Sequence, residues 1–138
     1  VMNADGSDPT PLTEPAPLCD DPAWGQGWPL WHDHEPKWSP DGNRILFIRY
    51  SECDPDPTND YQALYVMNAD GTEPRELAER ASPADWSPDG SQIVYIQGPV
   101  DDMRHIYVMN ADGTGKQMIL ESHGWDQGEE YITVAWSR

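Results

Sequence analysis

Val66-Met67-Asn68-Ala69-Asp70-Gly71 stands three times in this chain, with further copies starting at Val1 and Val108. A second string, Trp-Ser-Pro-Asp-Gly, alternates with it, starting at Trp38 and at Trp86, and its first two letters return at Trp136-Ser137. Two alternating signatures mean a tandem repeat, and a repeat governs how every local feature is read. The valines lie 65 and 42 residues apart (66 − 1 and 108 − 66), the tryptophans 48 and 50 (86 − 38 and 136 − 86). A core of about 40–45 residues suits one four-stranded propeller blade, and the unequal intervals are insertions into it. The chain opens on the second half of a unit and closes on the start of another, so a segment of a longer array is expected.

Within a unit the apolar runs read as strands. Arg44-Ile45-Leu46-Phe47-Ile48-Arg49-Tyr50 and Gln92-Ile93-Val94-Tyr95-Ile96 are short, β-branched and aromatic, and bounded by turn residues. Ala63 to Met67 and His105 to Met109 form a second matched pair. No stretch repeats apolar residues at three and four over three turns, so no long helix is expected. The signatures themselves read as tight hairpins. In Ser-Pro-Asp-Gly, proline presets φ and Asp41-Gly42 or Asp89-Gly90 completes the turn. In Asn68-Ala69-Asp70-Gly71 and Asn110-Ala111-Asp112-Gly113, the Asx side chains bond nearby amides and glycine takes the left-handed position. A unit then runs strand A ending in Trp-Ser, hairpin, strand B, loop, strand C ending in Val-Met, hairpin, strand D.

Trp-Ser-Pro-Asp-Gly, then Ile-x-[Phe/Tyr], then [Ile/Leu]-Tyr-Val-Met-Asn-Ala-Asp-Gly-[Ser/Thr] resembles the repeat of TolB-like β-propellers. The resemblance covers two whole units, about residues 34–78 and 82–120, with fragments at 1–13 and 131–138. It departs at the long loops 14–33 and 51–60, and where Pro-Asp-Gly is lost after Ser137. It implies an all-β propeller fragment: two complete four-stranded antiparallel blades at 34–80 and 81–122, half a blade at 1–13, an inserted loop at 14–33, and a loop and first strand at 123–138. It also implies that strand A lies near a central axis, with Trp38, Trp86 and Trp136 packing at equivalent places between blades. Related blades occur in proteases of the tricorn and prolyl oligopeptidase types.

Two blades do not close a ring, since propellers have about 4–8 and each blade must bury its faces on neighbours. The remaining blades are expected from the rest of the gene product, or from association of copies. The formal charge of −17, from 25 acidic and 8 basic residues, argues against nucleic acid and anionic membranes. It leaves calcium or a cationic partner open. No segment is apolar enough to span a membrane. Composition and resemblance together point to a bacterial periplasmic or extracellular protein. Cys19 and Cys53 fall in neighbouring loops that leave the same end of the blades, and a disulfide between them is expected in an oxidising compartment, with two unrelated free thiols as the alternative.

Connectivity separates a plain end, built of near-identical hairpins, from an irregular one formed by residues 14–33, 51–60, 98–104 and 121–130. Binding residues concentrate on such variable loops. Four of the seven tryptophans lie there: Trp24, Trp28, Trp31 and Trp125. They suit an aromatic platform for a peptide or sugar, or a small core that holds the insertion. His32 and His34, two apart on a strand, share a side and are metal candidates, with Asp33, Glu35 or His123 as a third ligand. Polar contacts lining a central channel suit them better. Asp54 and Asp56 sit in a carboxylate-rich loop that offers oxygens to calcium. The Asn-Ala-Asp-Gly turns fail as EF-hand loops, because the twelfth position would be Leu77. Nucleophile-elbow, phosphate-loop and zinc-protease motifs do not occur. The expected function is non-catalytic binding or scaffolding, without a cofactor, toward a protein, a small ligand or a carbohydrate. The alternative is the gating propeller of a serine hydrolase of prolyl oligopeptidase type.

Overall fold

The computed structural model describes residues 7–14, 16, 31–51, 61–98, 104–121 and 134–136. They form eight strands and, among the described residues, no helix: β1 Trp31–Trp38, β2 Arg44–Ser51, β3 Tyr61–Asn68, β4 Arg75–Glu79, β5 Ala81–Trp86, β6 Gln92–Gln97, β7 His105–Asn110 and β8 Gln117–Leu120. They make two antiparallel meanders, β1-β2-β3-β4 and β5-β6-β7-β8. Only Arg80, in left-handed backbone with φ 50°, separates β4 from β5.

One boundary differs from expectation. Residues 14–33 read as an inserted loop, yet β1 already starts at Trp31. Its first four residues pair in register with Ser51, Tyr50, Arg49 and Ile48. The polar sequence Trp31-His32-Asp33-His34 hides this strand, because its pairing is decided by β2, which runs on to Ser51. A bulge between His34 and Lys37, with Glu35 at φ 53°, then bends the strand toward Trp38.

The middle strands are apolar on both sides because both sides are covered. Along β2, Leu46 and Ile48 face the second sheet, and Ile45 and Phe47 face the other way, against Met67 and Leu12. Along β6, Ile93 and Tyr95 face the first sheet, while Val94 and Ile96 face Val134 and Trp136. Period-two alternation thus feeds two different interfaces from one strand. Ile45 corresponds to Ile93, Phe47 to Tyr95 and Met67 to Met109, so the two sheets bury equivalent residues in equivalent directions. The central core between them joins Leu46, Ile48, Leu64, Val66 and Leu77 to Ala84, Trp86, Ile93, Tyr95 and Met109.

The hairpins explain why their letters recur. Gly42 N donates to Ser39 O and Gly90 N to Ser87 O, at 2.9 and 2.8 Å. Ser39 Oγ donates to Asp41 at 2.6 Å while accepting Arg44 N at 2.9 Å, and Ser87 repeats this with Asp89 and Gln92. In the other hairpins Thr72 N and Thr114 N donate to Asp70 and Asp112. Gly113, at φ 85°, leaves a place where a Cβ would stand 3.0 Å from Leu77 of the first sheet. At Gly71 a Cβ would run into the Leu12 carbonyl. Leu12 and Leu77 are 65 residues apart, the spacing of the first two Val-Met-Asn-Ala-Asp-Gly strings, so residues near Leu12 stand against the first sheet as β4 stands against the second.

The turn carboxylates set a pH dependence. The Ser39 hydroxyl, then the Asn43 amide, hold Asp41 down to about 2 from an ordinary 3.8. The Ser87 hydroxyl, then Ser91, do the same for Asp89. A carboxylate with a depressed folded pKa favours the fold above its unfolded value, and that contribution disappears as pH falls through the folded value. The urea midpoint should therefore fall as pH drops from about 4 toward about 2. In Asp41→Asn/Asp89→Asn that dependence should be shallower, as parallel denaturant titrations would show.

Candidate functional site

The hairpin end uses its polar groups internally. Ala69 N donates to Asn43 O and Ala111 N to Ser91 O, each at 2.9 Å, tying the two hairpins of each sheet together. Arg44 then crosses to the second sheet, donating to Ala111 O and Gly90 O and lying 4.8 Å over the Trp86 ring. Arg75 donates to Asp112 O at 2.9 Å. With the carbonyls so occupied, the hairpin end is a brace. The connections β2–β3 and β6–β7 leave from the opposite end, which is where binding groups have room to vary.

At that end β1 presents different chemistry on its two sides. Asp33 takes a bidentate contact from Arg49, at 2.7 Å from Nε and 2.8 Å from Nη2. The guanidinium of Arg49 lies near the Trp31, Tyr65 and Phe47 rings, 5.2, 5.0 and 5.5 Å from their centroids. Its hydrogen bond to Asp33 raises the Arg49 pKa above the ordinary value, against the opposing effect of burial. Tyr65 Oη donates to Glu76 at 3.1 Å, and burial raises its pKa first. In the second sheet Ala81 and Gln97 occupy the places of Asp33 and Arg49, so this cluster is particular to the first. Gln97 instead donates to Glu79 O across the sheet junction, at 2.7 Å.

The other side of β1 carries imidazoles. His32 and His34 have ring centroids 5.7 Å apart, and His32 lies 5.1 Å from Tyr50. Among the described residues no group of three or more His, Cys, Asp or Glu converges on one point.

A cavity of about 340 Å³ opens beside β1, lined among others by Leu12, Asp33, His34, Trp38, Ile45 and Phe47. The corresponding surface of the second sheet is covered by Leu46, Ile48 and Leu77 of the first. The three tryptophans expected between units consequently differ. Trp86 is 5% exposed and its Nε1 donates to Lys37 O at 3.0 Å. Trp38, expected to be packed likewise, is 52% exposed, because no sheet of the described residues covers that side. Trp136 packs on Val94 and Ile96, in a stretch, 134–136, without strand pairing. Trp31 belongs to a strand and stands against Arg49, which differs from the loop platform expected of it.

Several candidates fall outside the described residues: Trp24, Trp28, Trp125, His123, Asp54 and Asp56, and the proposed disulfide partners Cys19 and Cys53. Sequence reasoning passed over Arg49. Its only sequence signal is a charge inside an apolar strand; the register opposite Asp33 is what gives it meaning.

No family model matches the chain. Over 63 residues, 44% of this chain, it is 38% identical to the uncharacterized peptidase YuxL of Bacillus subtilis (strain 168). Among solved structures, an oligogalacturonate lyase in complex with manganese superposes with a TM-score of 0.60 at 18% identity, over 87% of this chain and 28% of that one. The β-propeller domain of the Trilobed protease from Pyrococcus furiosus gives 0.55 at 17% identity, over 67% of this chain and 29% of that one. The fold is a partial β-propeller. Each sheet is one blade, and Trp86 marks the junction between the two. The chain spans 9% of the length of YuxL and under a third of either solved chain.

Proposed function

We propose that this stretch of propeller acts by binding and scaffolding, as in the TolB-like proteins its repeat resembles, and performs no chemistry of its own. The observation that carries the reading is the asymmetry of the two ends. The hairpin end is braced by backbone-directed contacts from Arg44 and Arg75. The unequal loops all depart from the other end, where a rigid scaffold presents variable segments. The partner is a protein, a peptide or a small ligand such as a carbohydrate, met in the bacterial periplasm or outside the cell. No cofactor is required.

The resemblance of 63 residues to YuxL favours a second reading, in which the blades gate a serine hydrolase domain carried elsewhere in the same gene product. A fluorophosphonate probe applied to the full gene product separates the two. The binding reading expects no labelled serine. Labelling outside this segment, lost on mutation of a Gly-x-Ser-x-Gly serine, would establish the gate.

A further inference from the structure

We propose that His32 and His34 form a chelating site for a divalent transition metal at the edge of the first blade. The two residues are two apart on β1, so their side chains leave the same side of the sheet. β1 is an outer strand of its sheet, paired only with β2 among the described residues. His32 is exposed and His34 half-buried, so an ion reaches both without opening the core.

The spacing fits one shared ion. With metal–nitrogen bonds of about 2.0–2.1 Å an imidazole centroid stands about 3.2 Å from the metal, so two rings on a tetrahedral ion lie about 5.2 Å apart and two on opposite sides about 6.4 Å. The observed 5.7 Å lies near the tetrahedral spacing, within reach of small rotations of the two side chains. The Tyr50 ring beside His32 restricts the rotation of that imidazole. On the other side of the strand, Asp33 is held by Arg49, which keeps its carboxylate away from the ion. Among the described residues no thiolate or carboxylate joins the two imidazoles, and such a pair suits zinc better than calcium or magnesium. They leave coordination positions open to water or to a donor group on a bound partner.

The test is calorimetric titration of the untagged, metal-stripped 138-residue chain with Zn²⁺. One equivalent should bind, with affinity falling at least tenfold in His32→Gln and in His34→Gln and unchanged in His105→Gln. Should either variant fail to fold, Co²⁺ added to the wild-type protein decides, by selectively broadening the ring signals of His32 and His34 in NMR spectra. Binding that survives both substitutions, binding lost equally in His105→Gln, or Co²⁺ leaving those two rings sharp would overturn the site.

Discussion

Trp86→Ala should lower unfolding stability by about 3–5 kcal/mol, the cost of truncating a large aromatic in a packed core. The same substitution at Trp38, the equivalent letter of the repeat, should cost less than about 1 kcal/mol, as expected of a side chain mostly in solvent. The contrast follows from surroundings alone. Trp86 is buried against the first blade, carries the Arg44 guanidinium on its ring, and donates to the Lys37 carbonyl. Its loss removes apolar contacts and leaves that carbonyl without its indole donor. Trp38 closes the equivalent strand with the same Ser-Pro-Asp-Gly turn, but no sheet of the described residues faces it. Urea unfolding of the three proteins measures the difference, and equal costs at the two positions would show that the blades do not stack through Trp86.

Tyr95→Phe should change stability in the opposite direction, raising it by about 1–3 kcal/mol, the desolvation cost of a buried polar group left unmatched. Tyr95 is 0% exposed and its hydroxyl meets no hydrogen-bond partner among the described residues. Burial pushes its pKa up to about 12. Its ring stacks on Tyr107 with centroids 5.5 Å apart, a contact that phenylalanine keeps. The repeat supplies the precedent, since Phe47 fills the equivalent place in the first blade. Thermal melts of the two proteins at matched pH decide it. A marked loss of stability would mean that the hydroxyl is satisfied in solution.

Much of the fold is legible in the letters because each repeated residue has a local task. Ser39, Asp41 and Gly42 close one hairpin among themselves, and Asn68, Asp70 and Gly71 another, through bonds spanning only a few residues. Such turns tie a residue type to a position whatever lies beyond. The double-sided apolar strands β2 and β6 announce a sheet covered on both faces. The candidate site is less legible. Trp31, His32 and Asp33 fall within the stretch that reads as a loop, and although alternation already puts His32 and His34 on one side, it is register with β2 that starts the strand at Trp31. Arg49 gains its meaning from Asp33, sixteen residues earlier in the chain.

By itself, then, the chain of letters determined the hairpins, the blade period and the alternation of apolar faces, because these follow from short-range backbone chemistry repeated at a fixed interval. Only the tertiary structure decided which of three like tryptophans is buried, that Arg44 and Arg75 brace the hairpin end, and that His32 and His34 stand apart from the Asp33–Arg49 pair. The physical reason is that burial and pairing belong to the neighbour across an interface. A repeat spells the same word at every blade, but each copy meets a different surface.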